Sequence, residues 1–313
     1  MHIHARALKY FDMIRRSGSI REAARRLHVA SSAVNRQLLQ LEESIGSPLF
    51  DRMPGGLRLT AAGEIFSRHV ITVLQDEHRM VSELDALKGI RRGELTIAAV
   101  EGLNADLLPS VLETMMTRYP MLRISIQPAG SAVAAAAVVA GDADLAIGYS
   151  VERQEALRQY AVGRFRLGAI MPAHHPLAGQ ATVRFADCAR YPLILAREPL
   201  SIHAQLRPLI AHHRKPMTVL MESASVELAK KLCLRGLGLA FQTRIGIEDE
   251  LADGRLAHVP LIGAGPVISE LGVYVRSGRT LPPALDAFIR ILAEEIARRE
   301  AEEPTLPDLL PKH

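Results

Sequence analysis

Residues 17–46 read SGSIREAARRLHVASSAVNRQLLQLEESIG. In the first half Ile20, Ala23, Ala24 and Leu27 recur at helical spacing, so one face of that helix is buried. Ser19 stands where an N-cap belongs, its hydroxyl placed to accept a bond from a free backbone N–H. A break follows at His28-Val29, after which Ser31 or Ser32 is expected to cap a second helix striped by Val34, Leu38, Leu41 and Ile45. The small Ala23 and Ala24 let the two helices cross closely. This is the pattern of a helix-turn-helix with Ser31, Ser32, Asn35 and Arg36 facing outward.

Charge agrees with that reading. The chain has 313 residues and a formal net charge of +4. Its first 60 residues hold ten Lys/Arg against five Asp/Glu, which leaves −1 for everything after them. A basic front on a near-neutral body suits a polyanionic partner for the front alone. Before the motif, a helix over about Ala5–Arg16 places Leu8, Phe11 and Ile14 on one face and makes a three-helix core. After it, Leu49-Phe50, the turn signal Pro54-Gly55-Gly56 and Leu57-Arg58-Leu59 read as a two-stranded wing carrying Arg52 and Arg58.

From Ala61 to about Ile90 the chain lacks Pro, and Phe66, Val70, Val73, Glu77, Met80, Leu84 and Leu87 alternate four and three apart. That is a heptad seam interrupted at Glu77. It fits a dimerising coiled coil; the alternative is one amphipathic helix packed on its own domain. Gly89, Arg91, Arg92 and Gly93 are expected to end the helix as a hinge.

Beyond Glu94, β/α alternation argues for a mainly parallel sheet flanked by helices. Strands are expected at 95–99, 122–127, 144–148, 167–171, 193–196, 217–221, 237–241, 256–259 and 270–275. Helices are expected at 107–119, 131–140, 202–213, 226–234 and 284–298. The tail EEPTLPDLLPKH, 302–313, is expected to be flexible. Cys188 and Cys233 lack C-x-x-C spacing and read as buried thiols of a reducing compartment, with a redox pair as the alternative. Neither a signal peptide nor an apolar run of membrane-spanning length is present in this sequence, so a cytoplasmic location without a membrane partner is expected.

An enzyme would need a constellation such as G-x-S-x-G, a P-loop or H-E-x-x-H, and these are missing from the sequence. His174-His175 and His212-His213 lack a companion Cys or carboxylate at ligand spacing, so neither metal nor cofactor is expected. Two other classes remain as alternatives: a cytosolic small-molecule receptor, and a DNA-architectural protein without an effector response.

The chain resembles the LysR-type transcriptional regulators over nearly its whole length. The resemblance is carried by LKYFDMIRRSGSIREAARRLHVASSAVNRQLLQLEESIGSPLFDR, LRLTAAG, GELTIAAVEGLNADLLP, GDADLAIG, HHPLAG and LRGLGLAF, in the family's order and spacing. It implies a winged helix-turn-helix at 1–60, a linker helix at 61–90 that pairs two chains, and an effector domain at 91–301. That last part would be two α/β subdomains like a periplasmic binding protein, 93–163 with 268–301 and 164–267. The family further implies a homodimer through the linker, a tetramer as a dimer of dimers, partly palindromic double-stranded promoter DNA, and RNA polymerase as a candidate partner.

Carried over by position, DNA contacts fall on Ser19, Ser31, Ser32, Asn35, Arg36, Arg52 and Arg58. Asn35 stands where the family most often has Ser; it can bond an adenine edge at two points, or else make a local helix bond or a water-bridged phosphate contact. The effector would lie between the subdomains, at Val100, Glu101, Gly102, Leu103, Asn104, Gly130, Ser131, Tyr149, Ser201, Ile202, His203, Phe241 and Gln242. Helix starts after these loops favour a carboxylate-like ligand. Val100 and Gly102, where Ser or Thr is common, and the charge on Glu101 work against a small acid. Glu101 either meets a ligand amine or hydroxyl or is a solvated loop carboxylate. His203 is a ligand contact or a surface residue at a helix start, and Ser131 an N-cap, a donor or both.

Overall fold

The computed structural model describes residues 4–87 and 92–304. They form two compact units that divide near residue 90. The N-terminal unit comprises α1 (Ala5–Ser17), α2 (Ile20–Leu27), α3 (Ser31–Ile45), the hairpin β1 (Phe50–Met53) and β2 (Gly56–Leu59), and α4 (Ala61–Leu87). Its core gathers Leu8, Phe11 and Ile14 with Ala23, Ala24, Val34, Leu38 and Leu41, then Leu49, Phe50, Phe66 and Val70. Phe11 is the centre: its ring lies 5.2 Å from that of Phe50 and 4.9 Å, edge-on, from that of Phe66.

Local chemistry sets the turn between α2 and α3. Ser19 Oγ accepts the Glu22 amide at 3.4 Å, and His28 ends α2 in the left-handed region at φ 55°. The expected serine cap on α3 is not formed. Ala30, with extended backbone, is the N-cap and makes no side-chain bond, so Ser31 and Ser32 enter the first turn with exposed side chains. The wing is pinned to α3 by Glu42, whose carboxylate accepts the amides of Leu49 (2.7 Å) and Phe50 (3.3 Å).

The first half of the long helix packs on its own unit. Phe66 and Val70 are buried in the unit's own core, with Val73 and Leu74 packed against it, so the first half does have a surface to lie on. Glu77 interrupts the seam because it pairs with Lys9 of α1 at 2.8 Å. Further on, Met80, Val81 and Leu84 are exposed.

The C-terminal unit opens with β3 (Arg92–Ala99), so Arg92 and Gly93 begin a strand and are not a hinge; Gly89 and Arg91 lie outside the described residues. A single 3-10 turn (Glu101–Leu103) follows, then α5 (Leu107–Arg118), β4 (Met121–Pro128), α6 (Ser131–Val139), β5 (Leu145–Tyr149) and β6 (Leu157–Arg166). Next come β7 (Gly168–Pro172), β8 (Val183–Arg184), α7 (Phe185–Cys188), β9 (Leu193–Ala196), α8 (Ser201–His212) and β10 (Val219–Ser223). The unit ends with α9 (Val226–Leu234), β11 (Ala240–Gln242), α10 (Glu248–Ala252), β12 (Leu256–Ile262), β13 (Ile268–Arg276) and α11 (Pro283–Ala301).

Two main sheets define two lobes. The first has order β4-β3-β5-β13-β6, and the second β11-β7-β12-β8, with β9 and β10 paired beside it. The expected mainly parallel sheet is only half realised. Strands β4, β3 and β5 are parallel, whereas β13 runs antiparallel to both β5 and β6, and β7 runs antiparallel to β11 and β12. Strands joined by helices can run parallel; in the first sheet β6 keeps the direction of β5, and β13, which brings the chain back from the second lobe without a helix, alone runs the other way. Strand β6 lies where no strand is expected: LRQYAVGRFR is charged, and only Gly163 and Phe165 of its ten residues are buried. At the other end, Glu303 accepts the Arg166 amide and Arg166 donates to the Pro304 carbonyl, which anchors 302–304 of the expected flexible tail; the rest of that tail lies outside the described residues.

Truncating the central ring tests the N-terminal core. Phe11→Ala removes a side chain that is 1% exposed, and should cost about 3–5 kcal/mol, read as a lower urea midpoint for loss of helical signal.

Candidate functional site

Two surfaces carry the candidate chemistry. The first is the outer side of α3 with the wing. Val34, Leu38 and Leu41 point inward, which turns Ser31, Ser32 and Arg36 outward, with Asn35 half-buried beside them. Two short hydroxyls, an amide and a guanidinium at a helix start are groups able to meet base edges and phosphates. Nearby cations are less available: Arg25 and Arg26 both bond Glu22, and the Glu22 carboxyl is held at about 2, chiefly by those hydrogen bonds. In the wing, Arg52 pairs across from Leu57 and Arg58 across from Asp51. The two arginines therefore lie on opposite faces of the ribbon, and only Arg58 sits opposite a carboxylate. Ser19 spends its hydroxyl on capping α2.

The second surface is a cleft between the two lobes of the C-terminal unit, where strands end and helices begin. It encloses about 500 Å³ of empty space, open solvent at its mouth included. Of the expected positions, Val100, Glu101, Gly102, Gly130, Ser131, Tyr149, Ser201, Ile202 and Gln242 line it. Leu103, Asn104, His203 and Phe241 do not. Leu103 is fully buried, because the 3-10 turn rotates it inward, and Phe241 stacks on Phe185 in the second lobe's core. Six lining residues were not anticipated: Pro199, Leu200, Val226, Thr243, Ile245 and Ser269.

Bonds fix this lining. Gly130, not Ser131, caps α6, and Ser131 Oγ accepts the Tyr149 amide at 3.0 Å. The Tyr149 hydroxyl meets Thr243 Oγ1 of the other lobe at 3.0 Å, and burial pushes that phenol up, so it stays protonated. Ser269 Oγ donates to Gln205 Oε1 at 2.8 Å, and Gln242 Nε2 donates to the Ile245 carbonyl at 3.0 Å. Neither α6 nor α8 has a side-chain cap, and the starts of both, Gly130-Ser131 and Ser201-Ile202, line the cleft. Among the described residues lining the cleft, the one formal charge is Glu101.

Glu101 is neither solvated nor free. Its Oε1 accepts the Ser225 hydroxyl at 2.9 Å and its Oε2 the Val226 amide at 3.0 Å, so it caps α9 from across the cleft. Beneath it, Gly246 sits at φ 84°, and a Cβ there would be 2.3 Å from the Gly102 carbonyl oxygen. Deeper still, the buried Arg299 bonds Glu295 (2.8 Å), Asp106 and, in the second lobe, Glu248. Burial pushes the Glu248 carboxyl up, opposed by its own hydrogen bonds and by Arg299. Cys188 and Cys233 are both fully buried and free, with burial pushing each thiol up to about 12.

Comparison with known proteins adds the following. The family described as "LysR substrate binding domain" matches residues 88–297, and "Bacterial regulatory helix-turn-helix protein, lysR family" matches residues 5–64. A probable RuBisCO transcriptional regulator of Synechocystis sp. is 29% identical over 307 residues, 95% of this chain and 88% of that protein. The HTH-type transcriptional regulator CbbR of Rhizobium meliloti is 27% identical, covering 94% of this chain and 93% of its own length. Among solved structures, a full-length OxyR variant from Pseudomonas aeruginosa aligns with TM-score 0.71 at 20% identity, over 95% of both chains. Full-length CbnR complexed with its target DNA aligns with TM-score 0.52 at 22% identity, over 94% of this chain and 100% of that one.

Behind the lining residue Gln242 lies a group with a pH signature. His258 Nε2 lies 3.0 Å from the Gln242 carbonyl oxygen, and burial, reinforced by the Arg244 charge, pushes the imidazole down to about 4. The folded state therefore binds this proton later than the unfolded chain does. Its stabilising contribution is complete above about 6.5 and is lost as pH falls towards 4. Unfolding midpoints of the C-terminal unit should drop across that window, and His258→Gln should flatten the drop.

Proposed function

Because the chain belongs to the LysR family of transcriptional regulators, we propose that its promoter occupancy is set by a small molecule held in the cleft between the two lobes. The carrying observation is the cleft's make-up. Two uncapped helix starts and the hydroxyls of Ser131, Tyr149, Ser201, Thr243 and Ser269 converge on a space with apolar walls at Val100, Pro199, Leu200, Ile202, Val226 and Ile245. Such a space gives a small polar ligand orientation from few groups and affinity from desolvation.

The proposed organisation is a DNA-reading domain at 1–60, a pairing helix at 61–90 and an effector domain at 91–301, its subdomains 93–163 with 268–301 and 164–267. Ser31, Ser32, Asn35 and Arg36 read the major groove, while Arg52 and Arg58 hold the wing to phosphate. Exposed Met80, Val81 and Leu84 support pairing of two chains through α4, and pairs of dimers would span a partly palindromic site. A change in cleft closure would alter how dimers pair, and so the bend and length of DNA covered. RNA polymerase is the proposed downstream partner, and a metabolic operon the proposed target class, in line with the RuBisCO regulators the chain resembles over nearly its whole length.

A thermal-shift screen of central metabolites on the full chain, followed by footprinting on a duplex selected from a random library, tests this. At least one compound should raise the unfolding temperature and also change the footprint length. Should every stabilising compound leave the footprint unchanged at saturation, effector control through the cleft is wrong.

Two substitutions separate holding from reading. Arg52→Ala should weaken binding to all duplexes and reduce the slope of log affinity against log salt by about one. Asn35→Ala should lose roughly 1–3 kcal/mol of discrimination at one base pair, seen as a relaxed position in the selected sequences.

A further inference from the structure

Among the described residues lining the cleft, the one formal charge is spent on a bond between the cleft's own walls. Glu101 leaves the carboxyl end of β3 in the first lobe, and both its oxygens are taken by the start of α9 in the second. That start is already satisfied in part without it: Ser225 Oγ accepts the Leu228 amide at 3.1 Å. A remote carboxylate added to a capped helix therefore does little that the helix needs locally. What it does is tie the lobes together. A charged acceptor on a backbone N–H and a hydroxyl makes stronger bonds than a neutral one would.

A second tie lies deeper, and the two differ in burial. Arg299 is 6% exposed and is held by three carboxylates, one of them Glu248 across the lobes. The two ties are linked: α9 carries Lys230, whose Nζ donates to the Gly246 carbonyl at 3.1 Å, and the Gly246 amide donates to Glu248 at 2.6 Å. Removing any member of the Arg299 cluster strands a buried charge, so this end acts as the fixed side of the joint. Glu101 is half-buried at the cleft wall, where water replaces its bonds at small net cost.

We propose that Glu101 is a releasable clasp: its bonds to Ser225 and Val226 hold the cleft shut, and the cleft opens when they break while the Arg299 cluster persists. This rests on the cleft being the effector site, since the clasp controls entry to it. A ligand that enters must then do so with Glu101 released from α9, and closure over it restores the bonds.

The chain supplies its own test. Both native thiols are buried and held protonated, so an added thiol inside the cleft is the one expected to react quickly with a disulfide reagent. Ser269 lines the cleft, is 2% exposed and bonds Gln205 of the other lobe, not Glu101; its replacement removes that bond equally in every arm of the comparison, so the effect of Glu101 is still read by difference. In a Ser269→Cys full-length background, adding Glu101→Ala should speed labelling of the introduced thiol about tenfold, and Glu101→Gln should fall between. Cys188 and Cys233 should stay as slow as before. Hydrogen exchange should rise at the Val226 amide while the sheet amides of β3 and β13 stay protected. Unchanged labelling overturns the proposal, and so does faster labelling of all three thiols, which would mean general loosening. If the Ser269→Cys background does not fold, Ser201→Cys serves as the probe. Neither DNA nor effector enters this experiment, so its failure is distinct from a footprint that ignores every metabolite.

Discussion

The arrangement of the cleft depends on a buried guanidinium. Arg299 sits near the end of the last helix, so its position is fixed only once that helix has packed on the first sheet. From there it gathers Asp106 at the N-cap of α5, Glu295 one turn back on its own helix, and Glu248 at the start of α10 in the other lobe. Three carboxylates this close would repel one another without it. Burial alone would lower the Arg299 pKa, and the surrounding carboxylates outweigh that and raise it. An arginine is the suitable residue, because its planar fork donates in several directions at once and stays charged when desolvated. The unit thus holds its lobes by a chain segment placed last in sequence, which closes the circuit begun when β6 leaves the first sheet.

The N-terminal unit uses a different economy of contacts. Its core is apolar and centred on Phe11, while one carboxylate, Glu42, fixes the wing by accepting two consecutive amides. That bond lets the hairpin be short. A hairpin of two four-residue strands has little stability of its own and needs a surface to rest on. The cost falls on the cation supply: period-two alternation sends Arg52 and Arg58 to opposite faces, so the wing presents one arginine per side.

How much of this was legible follows from the range of each interaction. The helix-turn-helix was readable residue by residue, because its signals (Ser19 as cap, the Ala23-Ala24 crossing, the stripe of Val34, Leu38 and Leu41) act within one or two turns. Helix α9 was legible to both ends for the same reason. The cap of α3, expected at Ser31 or Ser32, falls one or two residues earlier, since serine is the stronger capping type and only the extended backbone of Ala30 decides otherwise. Strand β6 escaped because its charges hide a strand that is partnered along one edge by β13, a hundred residues later. In the cleft, the residues of the first lobe's strand-end loops are legible from sequence, while Thr243, one residue past the end of β11, Ile245 and Ser269 at the start of β13 are not. They reach the cleft only when the second lobe folds over the first. Glu101 was noticed for its charge, but its partners Ser225 and Val226 are more than a hundred residues away.

The contrast between the two ties explains why one chain can hold its lobes firmly and still admit a ligand. If both were buried charge clusters, opening would strand several ions, at about 3–5 kcal/mol for each broken pair. A small molecule would then spend most of its affinity on opening the door. If both were surface contacts, worth roughly 0–1 kcal/mol each, the lobes would sample many angles and a bound ligand would select no defined one. A buried charge cluster at one place, with the half-buried Glu101 clasp and the neutral Tyr149–Thr243 and Ser269–Gln205 bonds elsewhere, leaves the joint fixed where breaking it costs most. The spacing of the glycine pair fits that division. Gly102 and Gly246 approach backbone to backbone with no side chain to lever them apart, and the Tyr149–Thr243 pair, whose phenol feels the charges of Glu248 and Arg299, lies on the side of the deep tie. With the Arg299 joint held, motion at the clasp moves the Val226 wall most, which is the geometry a sensor needs if a few ångströms of closure are to be passed on as a defined change of shape.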